Sequence, residues 1–320
     1  MTAARRHEPS PGPEPATSPE PATGPESALA SVLDGLGARL PSPLEEVRDE
    51  RFARRGLRLL LKRDDLVHPA LPGNKWRKLV PNLYAAVRAG HRTLLTFGGA
   101  YSNHLRATAA AGRLLGFDTV GVVRGDELAD RPLNPSLARC RADGMRLHFV
   151  SRAQYRRRAD PGLAEELHRL FGAFHLVPEG GSNAAAVHGC AELGAELLGR
   201  ADLVAVACGT GGTLAGLAAG GPPAVGFPVL RGGFLATEVT ALQRAAFGGV
   251  RGQWRLDERF HCGGYARGTP ELEEFTVDFH RRHGLAAEPV YVAKMLFGLT
   301  ALAEEGALPP GGTIAAVVTG

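Results

Sequence analysis

The sequence predicts an α/β protein whose mostly parallel sheets are covered by helices on both faces. Two observations carry this. Short apolar runs alternate with stretches of helical periodicity from about residue 28 onward, and Gly- or Asn-bearing turns stand between them. A third observation removes the main competitor, since no unit of solenoid length recurs along the chain.

The apolar run 57–61 reads as a strand, and 75–87, following Gly73 and Asn74, reads as a helix. The run 93–97 is the next strand; beyond Gly98 and Gly99 the segment 103–115 has the helical pattern. Strands at 119–123 and 147–150 bracket a helix at 133–142, and a helix at 162–171 comes after them. The segment 185–198 is a helix and 203–207 a strand, whose unbroken apolar character marks it as buried on both faces. A helix opens near Gly212, then come a strand at 224–230 and a helix at 235–246. Helices at 270–283 and 294–304 lead to a last strand at 313–318.

At 320 residues and 44% hydrophobic, the chain has material for a sizeable core, in one large domain or two of ordinary size. Residues 1–27 are the exception: Pro, Glu, Ala, Ser and Thr dominate there, and a disordered tail is expected. Cys140, Cys190, Cys208 and Cys262 are widely spaced, with no Cys-x-x-Cys pair or His/Cys cluster, so neither a disulfide framework nor a metal site is expected. No apolar run reaches the ~18 residues of a membrane span. Arg5 and Arg6 precede no apolar stretch of a signal peptide, and the expected compartment is the cytoplasm. The formal charge of +4 is spread over scattered arginines, with Arg156, Arg157 and Arg158 the one short run. That argues for solvated faces rather than a nucleic-acid groove.

Four turns at strand-to-helix junctions hold the candidate chemistry: Gly73-Asn74-Lys75, Gly98-Gly99-Ala100-Tyr101-Ser102-Asn103-His104, Glu179-Gly180-Gly181-Ser182-Asn183 and Gly209-Thr210-Gly211-Gly212-Thr213. In open α/β sheets, ligands bind beyond the carboxyl ends of strands, where such turns lie. Gly209, Thr210, Gly211, Gly212 and Thr213 can offer helix-start amides and two hydroxyls to a phosphate; taken alone, the same residues also make an ordinary tight turn. No Gly-Lys-Ser/Thr and no acidic residue at dinucleotide spacing follows, which argues against ATP and NAD. Lys75 stands in the first turn of a helix, where the dipole disfavours a cation and would lower the amine's pKa toward that of a nucleophile. A solvated lysine is the plain alternative. Ser102 and Asn103 are placed to cap the helix behind them.

With the neighbouring Leu61-Lys62-Arg63-Asp64-Asp65-Leu66 and Pro289-Val290-Tyr291 with Lys294, these turns resemble, in order and spacing, the aminocyclopropane-carboxylate deaminase and D-cysteine desulfhydrase family. The resemblance runs from about residue 30 to the C-terminus. It implies the two-domain, fold type II architecture of the tryptophan synthase β type, with pyridoxal 5'-phosphate in the cleft. A large domain would comprise 28–78 and 182–320, and a small inserted one 79–181. Lys75 would form the Schiff base, next to Asn74. Asn103 would neighbour the ring hydroxyl, and Ser102, Asn103 and His104 would meet the substrate. Gly209 to Thr213 would bind the phosphate, and Tyr265 and Tyr291 would shuttle protons. Thr319, in Val318-Thr319-Gly320, would face the pyridine nitrogen.

One departure bears on the reaction. Where the deaminase branch has Glu after the tyrosine and the desulfhydrase branch Thr, this chain has Val292, followed by Ala293 in place of Gly. A valine cannot keep the pyridine nitrogen protonated. The expectation is therefore a pyridoxal-phosphate lyase acting on a small amino acid, D-cysteine first, to give pyruvate, ammonia and sulfide. The alternatives are 1-aminocyclopropane-1-carboxylate deaminase and a cofactor-binding protein without turnover. A homodimer is expected from the resemblance.

Overall fold

The computed structural model of the chain describes residues 24–319. Most of the tail expected at 1–27 lies outside them, but Pro25, Glu26 and Ser27 already belong to a helix. Proline at the first helical position, an acid in the first turn and the buried pair Leu29 and Leu33 one turn apart account for that start.

In chain order the elements are α1 (Pro25–Gly35), β1 (Leu44–Val47), α2 (Glu50–Ala53), β2 (Arg58–Arg63), α3 (Asn74–Arg88), β3 (Thr93–Gly98), α4 (Asn103–Leu115), β4 (Asp118–Arg124), α5 (Pro135–Ala142), β5 (Arg146–Val150), α6 (Arg152–Arg156), α7 (Pro161–Phe171) and β6 (His175–Val177). They continue with α8 (Ala184–Ala195), β7 (Leu203–Cys208), α9 (Gly212–Gly220), β8 (Ala224–Pro228), α10 (Leu235–Phe247), β9 (Trp254–Leu256), α11 (Pro270–His283), α12 (Val292–Glu305) and β10 (Thr313–Val318).

The strands form two sheets. The larger has the order β1-β2-β10-β7-β8-β9, and the smaller β5-β4-β3-β6. Only the edge pair of β1 with β2 is antiparallel; every other pairing runs parallel. All four strands of the smaller sheet fall within residues 93–177, and all six of the larger outside that stretch. Alternation of side chains splits the larger sheet's core in two. Leu59, Leu61, Ala205, Phe227, Ile314 and Ala316 pack with α11 and α12, whereas Leu60, Val204, Val206, Ala315 and Val317 pack with α8, α9 and α10. In the smaller sheet, Leu95, Phe97, Val120 and Val122 meet α6 and α7, and Leu94 meets α1, α3 and α4 on the other face.

Helix α3 connects the two units. Its apolar side chains Trp76, Leu79, Leu83 and Ala86 belong to the smaller sheet's core, together with Leu29 and Leu33 of α1. Its first turn is bonded to the larger unit. Arg77 donates both to Asp64, just beyond β2, at 2.8 Å and to Glu196, at the end of α8, at 2.9 and 3.1 Å. Ser42 adds a hydroxyl to Asp64 at 2.6 Å. Buried charges paired and hydrogen-bonded in this way hold geometry more than they add stability. The consequence is local: the residue two before Arg77, Lys75, has a fixed origin.

Candidate active site

The loops after β2, β7 and β10 and those after β3 and β6 leave their sheets at the carboxyl ends, and α3 brings them together. Gly73, with φ 65°, lies so close to the C-terminal segment that an added Cβ would stand 1.5 Å from the Thr319 carbonyl oxygen. Only glycine fits that contact, and it places Thr319 beside the turn that carries Lys75. From there, Lys75 Nζ donates to Asn74 Oδ1 at 2.7 Å, and Asn74 Nδ2 donates to Thr213 Oγ1 at 3.0 Å. The amine and the threonine-glycine turn, 138 residues apart in sequence by their numbers, therefore meet through one amide side chain.

At that turn Gly211 takes φ 81°, left-handed, and α9 starts immediately behind it with its first amides lacking helical partners. Lys78, one helical turn beyond Lys75, is buried and donates to the Gly180 carbonyl at 3.2 Å and the Ser182 hydroxyl at 3.1 Å. Ser182 in turn shares a 2.6 Å hydrogen bond with Thr210. A methyl group on Gly212 would collide with Ser182 Oγ at 2.5 Å and stand 3.3 Å from Lys78 Nζ. Two lysine amines thus converge on one glycine-threonine turn, Lys75 through Asn74 and Lys78 through Ser182, and their hydrogen-bond partners are neutral. Among the described residues neither forms an ion pair with a carboxylate. A ligand bearing a doubly charged phosphate and an aldehyde fits this donor set: the phosphate would meet the amides, hydroxyls and Lys78, and the aldehyde would meet Lys75.

Burial lowers the Lys75 pKa from 10.5 to about 7, with the Lys78 charge adding to the effect. In the protein without added cofactor, capture of an aldehyde at Lys75 should rise about tenfold per pH unit below 7 and level off above about pH 8, whereas an ordinary lysine keeps gaining until about 10. Borohydride trapping followed by peptide mass analysis reads this profile, and a continued rise to pH 10 would contradict the lowered pKa. The sign for stability is the reverse of an ion-paired lysine. The unfolded chain keeps its proton to higher pH, so the penalty of the buried ammonium is complete below pH 7 and is relieved as pH climbs toward 10.

Tyr291 precedes α12, and its ring lies 3.2 Å from where a Gly209 Cβ would be. Burial, and then the neighbouring Tyr265, push its hydroxyl pKa well above the usual tyrosine range. The two rings stand edge to face at 6.1 Å, with Tyr265 still 41% exposed. Ser102 caps α4, accepting from the Leu105 amide at 3.2 Å, and Asn103 is half-buried beside it. His104, expected to meet the substrate, is turned into the smaller sheet. It is 2% exposed, and its Nε2 lies 2.8 Å from the Thr96 hydroxyl, which itself donates to Val177 O at 2.7 Å. Nε2 must therefore carry the proton. Nδ1 is left as an acceptor beneath Gly181, with no hydrogen-bond partner among the described residues. Burial, and the charges of Lys75 and Lys78, hold the ring neutral.

Three residues at this site have no role assigned to them from sequence. Lys78 and Ser182 are two, and their only signals were the one-turn spacing from Lys75 and the serine after Gly180-Gly181. The third is Glu288, whose carboxylate accepts from the Val290 and Tyr291 amides at 2.9 and 2.8 Å and so sets the entry to α12.

Fold and site together fit the class of enzymes that work with a cofactor bearing an aldehyde and a phosphate. Residues 36–320 match the family described as pyridoxal-phosphate dependent enzyme, and the chain belongs to that family. It is 31% identical over 295 residues to a D-cysteine desulfhydrase of Klebsiella pneumoniae, covering 83% of this chain and 87% of that one. It is 30% identical over 293 residues to a mitochondrial bifunctional D-cysteine desulfhydrase/1-aminocyclopropane-1-carboxylate deaminase of Arabidopsis thaliana, covering 82% and 71%. Among solved structures, an ACC deaminase homologue superposes with a TM-score of 0.75 at 26% identity, over 92% of this chain and 94% of the other. Among the described residues no helix is long and apolar enough to cross a membrane.

Proposed function

We propose that the protein is a lyase that cleaves a β-carbon bond of a small amino acid, with D-cysteine the first substrate and pyruvate, ammonia and sulfide the products. The observation that carries this reading is the Lys75–Asn74–Thr213 chain, joined to an aliphatic Val292 where a carboxylate would mark a deaminase. Val292 is 1% exposed and belongs to the core beneath the larger sheet. Pyridoxal phosphate, when bound, supplies an aldehyde that condenses with amines and a conjugated ring that withdraws electrons from the α-carbon.

The protein's part is binding and proton handling. Gly209 to Thr213 and Lys78 would hold the phosphate, Asn74 orients the Lys75 amine, and Asn103 would lie on the side of the ring hydroxyl. Ser102 and Asn103 receive the substrate carboxylate. Lys75, half neutral near pH 7, is both the attachment point and the base for the α-proton. Tyr291, kept protonated by burial, is the acid at the departing group, with Tyr265 as its outer partner. Thr319, packed against Gly73, would offer the pyridine nitrogen a neutral group. Water consumed and sulfide released balance the reaction: cysteine and one water give pyruvate, ammonia and hydrogen sulfide.

A second reading, opening of the cyclopropane ring of 1-aminocyclopropane-1-carboxylate, is favoured by the Tyr265–Tyr291 pair alone. The test is a panel of D- and L-cysteine, other β-substituted amino acids and the cyclopropane acid, read by pyruvate, 2-oxobutyrate and sulfide. Sulfide from D-cysteine with an intact cyclopropane acid is expected. Turnover of the cyclopropane acid with cysteine untouched would replace this reading by the second. The reading also includes a cytoplasmic homodimer, and sedimentation at the mass of one chain would remove that part.

A further inference from the structure

We infer that Lys294 is a positioning residue that holds Tyr265 against Tyr291 by fastening the loop between His261 and Arg267. This rests on the functional reading above only in giving Tyr265 a part in the reaction. Lys294 is on α12 and is fully buried, yet among the described residues it has no carboxylate within ion-pair distance. Its ammonium donates instead to the His261 carbonyl at 2.8 Å and the Gly264 carbonyl at 2.7 Å.

Those two carbonyls are the first residues of two consecutive turns. Gly264 N–H returns to His261 O at 3.0 Å, and Arg267 N–H returns to Gly264 O at 3.2 Å. One buried charge therefore braces both turns through charge-assisted bonds. The segment needs bracing because Cys262 and Ala266 both adopt left-handed backbone, with φ 49° and 52°, on either side of Gly263 and Gly264. Neither side chain favours that conformation, so it persists only where the surroundings impose it. Tyr265 lies between Gly264 and Ala266, exposed but edge-on to Tyr291. A buried ammonium without a counter-ion is a costly way to hold a surface loop, and here it fixes the direction of one tyrosine.

The test compares Lys294→Met, Tyr265→Phe and the double variant as holoenzymes, with the amino acid that the panel identifies. Lys294→Met should retain the visible absorbance of bound cofactor, since Lys75 and the phosphate turn are untouched. Its turnover should fall about 30-fold, and Tyr265→Phe added to it should lower turnover no further, because the tyrosine has already left its place. Trypsin should cut after Arg267 about tenfold faster than in the parent as the loop opens. Should Lys294→Met not fold, Lys294→Gln, which keeps a neutral donor, should show the same effects at smaller size. Losses that multiply in the double variant, or an unchanged cutting rate after Arg267, would overturn the assignment. If no amino acid is turned over, the functional reading fails, and the cutting rate alone decides whether Lys294 is the anchor.

Discussion

Lys75→Ala is expected to lose the visible absorbance of bound cofactor and to lower turnover by at least ~10³-fold, with the fold retained. The fold should survive because the Lys75 ammonium has one hydrogen-bond partner, Asn74, and its side chain belongs to none of the apolar cores. Lys75→Arg discriminates between charge and chemistry. It restores a cation at the same place, but a guanidinium keeps its proton at every working pH and cannot attack an aldehyde. Equal inactivity of the two variants is the expected outcome, measured by absorbance, by borohydride trapping and by product formation. Substantial turnover in either would remove Lys75 from the centre of the reaction.

Lys78→Met should have the next largest effect, and it separates two consequences of one charge. A buried charge-assisted contact to a phosphate is worth up to about 3 kcal/mol, so affinity for pyridoxal phosphate should fall about 100-fold while that for unphosphorylated pyridoxal stays within a few-fold. Because the Lys78 charge helps to depress the Lys75 pKa, its removal should also shift aldehyde capture at Lys75 to higher pH. Titration of the cofactor-free protein with both aldehydes, followed by the capture profile, reads both effects. Equal weakening toward the two aldehydes would mean that Lys78 serves the Gly180–Ser182 turn and not the phosphate.

Long elements with caps were legible before the structure. The predicted 103–115, 270–283 and 313–318 coincide with α4, α11 and β10, where Ser102 and Thr269 accept from the amides of their helices' first turns. Three strands were missed. Leu-Glu-Glu-Val of β1 lacks alternation, and β6 and β9 span three residues each; all are edge strands whose register comes from the neighbour they pair with. The strand predicted to reach residue 230 ends at Pro228, after which the chain turns across the sheet's end, with Val229 N–H on Cys208 O at 2.9 Å.

At the site, the turns were legible because Gly, Asn, Ser and Thr declare themselves by backbone freedom and short hydroxyl or amide side chains. Burial does not declare itself in that way. In the sequence Lys78 and Lys294 are helix lysines like any solvated one, and His104 follows a capping serine as if facing the ligand. Each is instead surrounded by segments far away in the chain: Gly180 and Ser182 around Lys78, His261 and Gly264 around Lys294, Thr96 and Gly181 around His104.

Local patterning alone thus determined the α/β class, most helices and parallel strands, and the four turns with Lys75 among them, since these depend on periodicity and backbone preference within about a dozen residues. Which cations lost their water, which histidine nitrogen kept a proton and which tyrosine met which was decided only when α3 joined the two sheets. Desolvation and hydrogen-bond geometry are properties of the space between distant segments, and no single segment carries them.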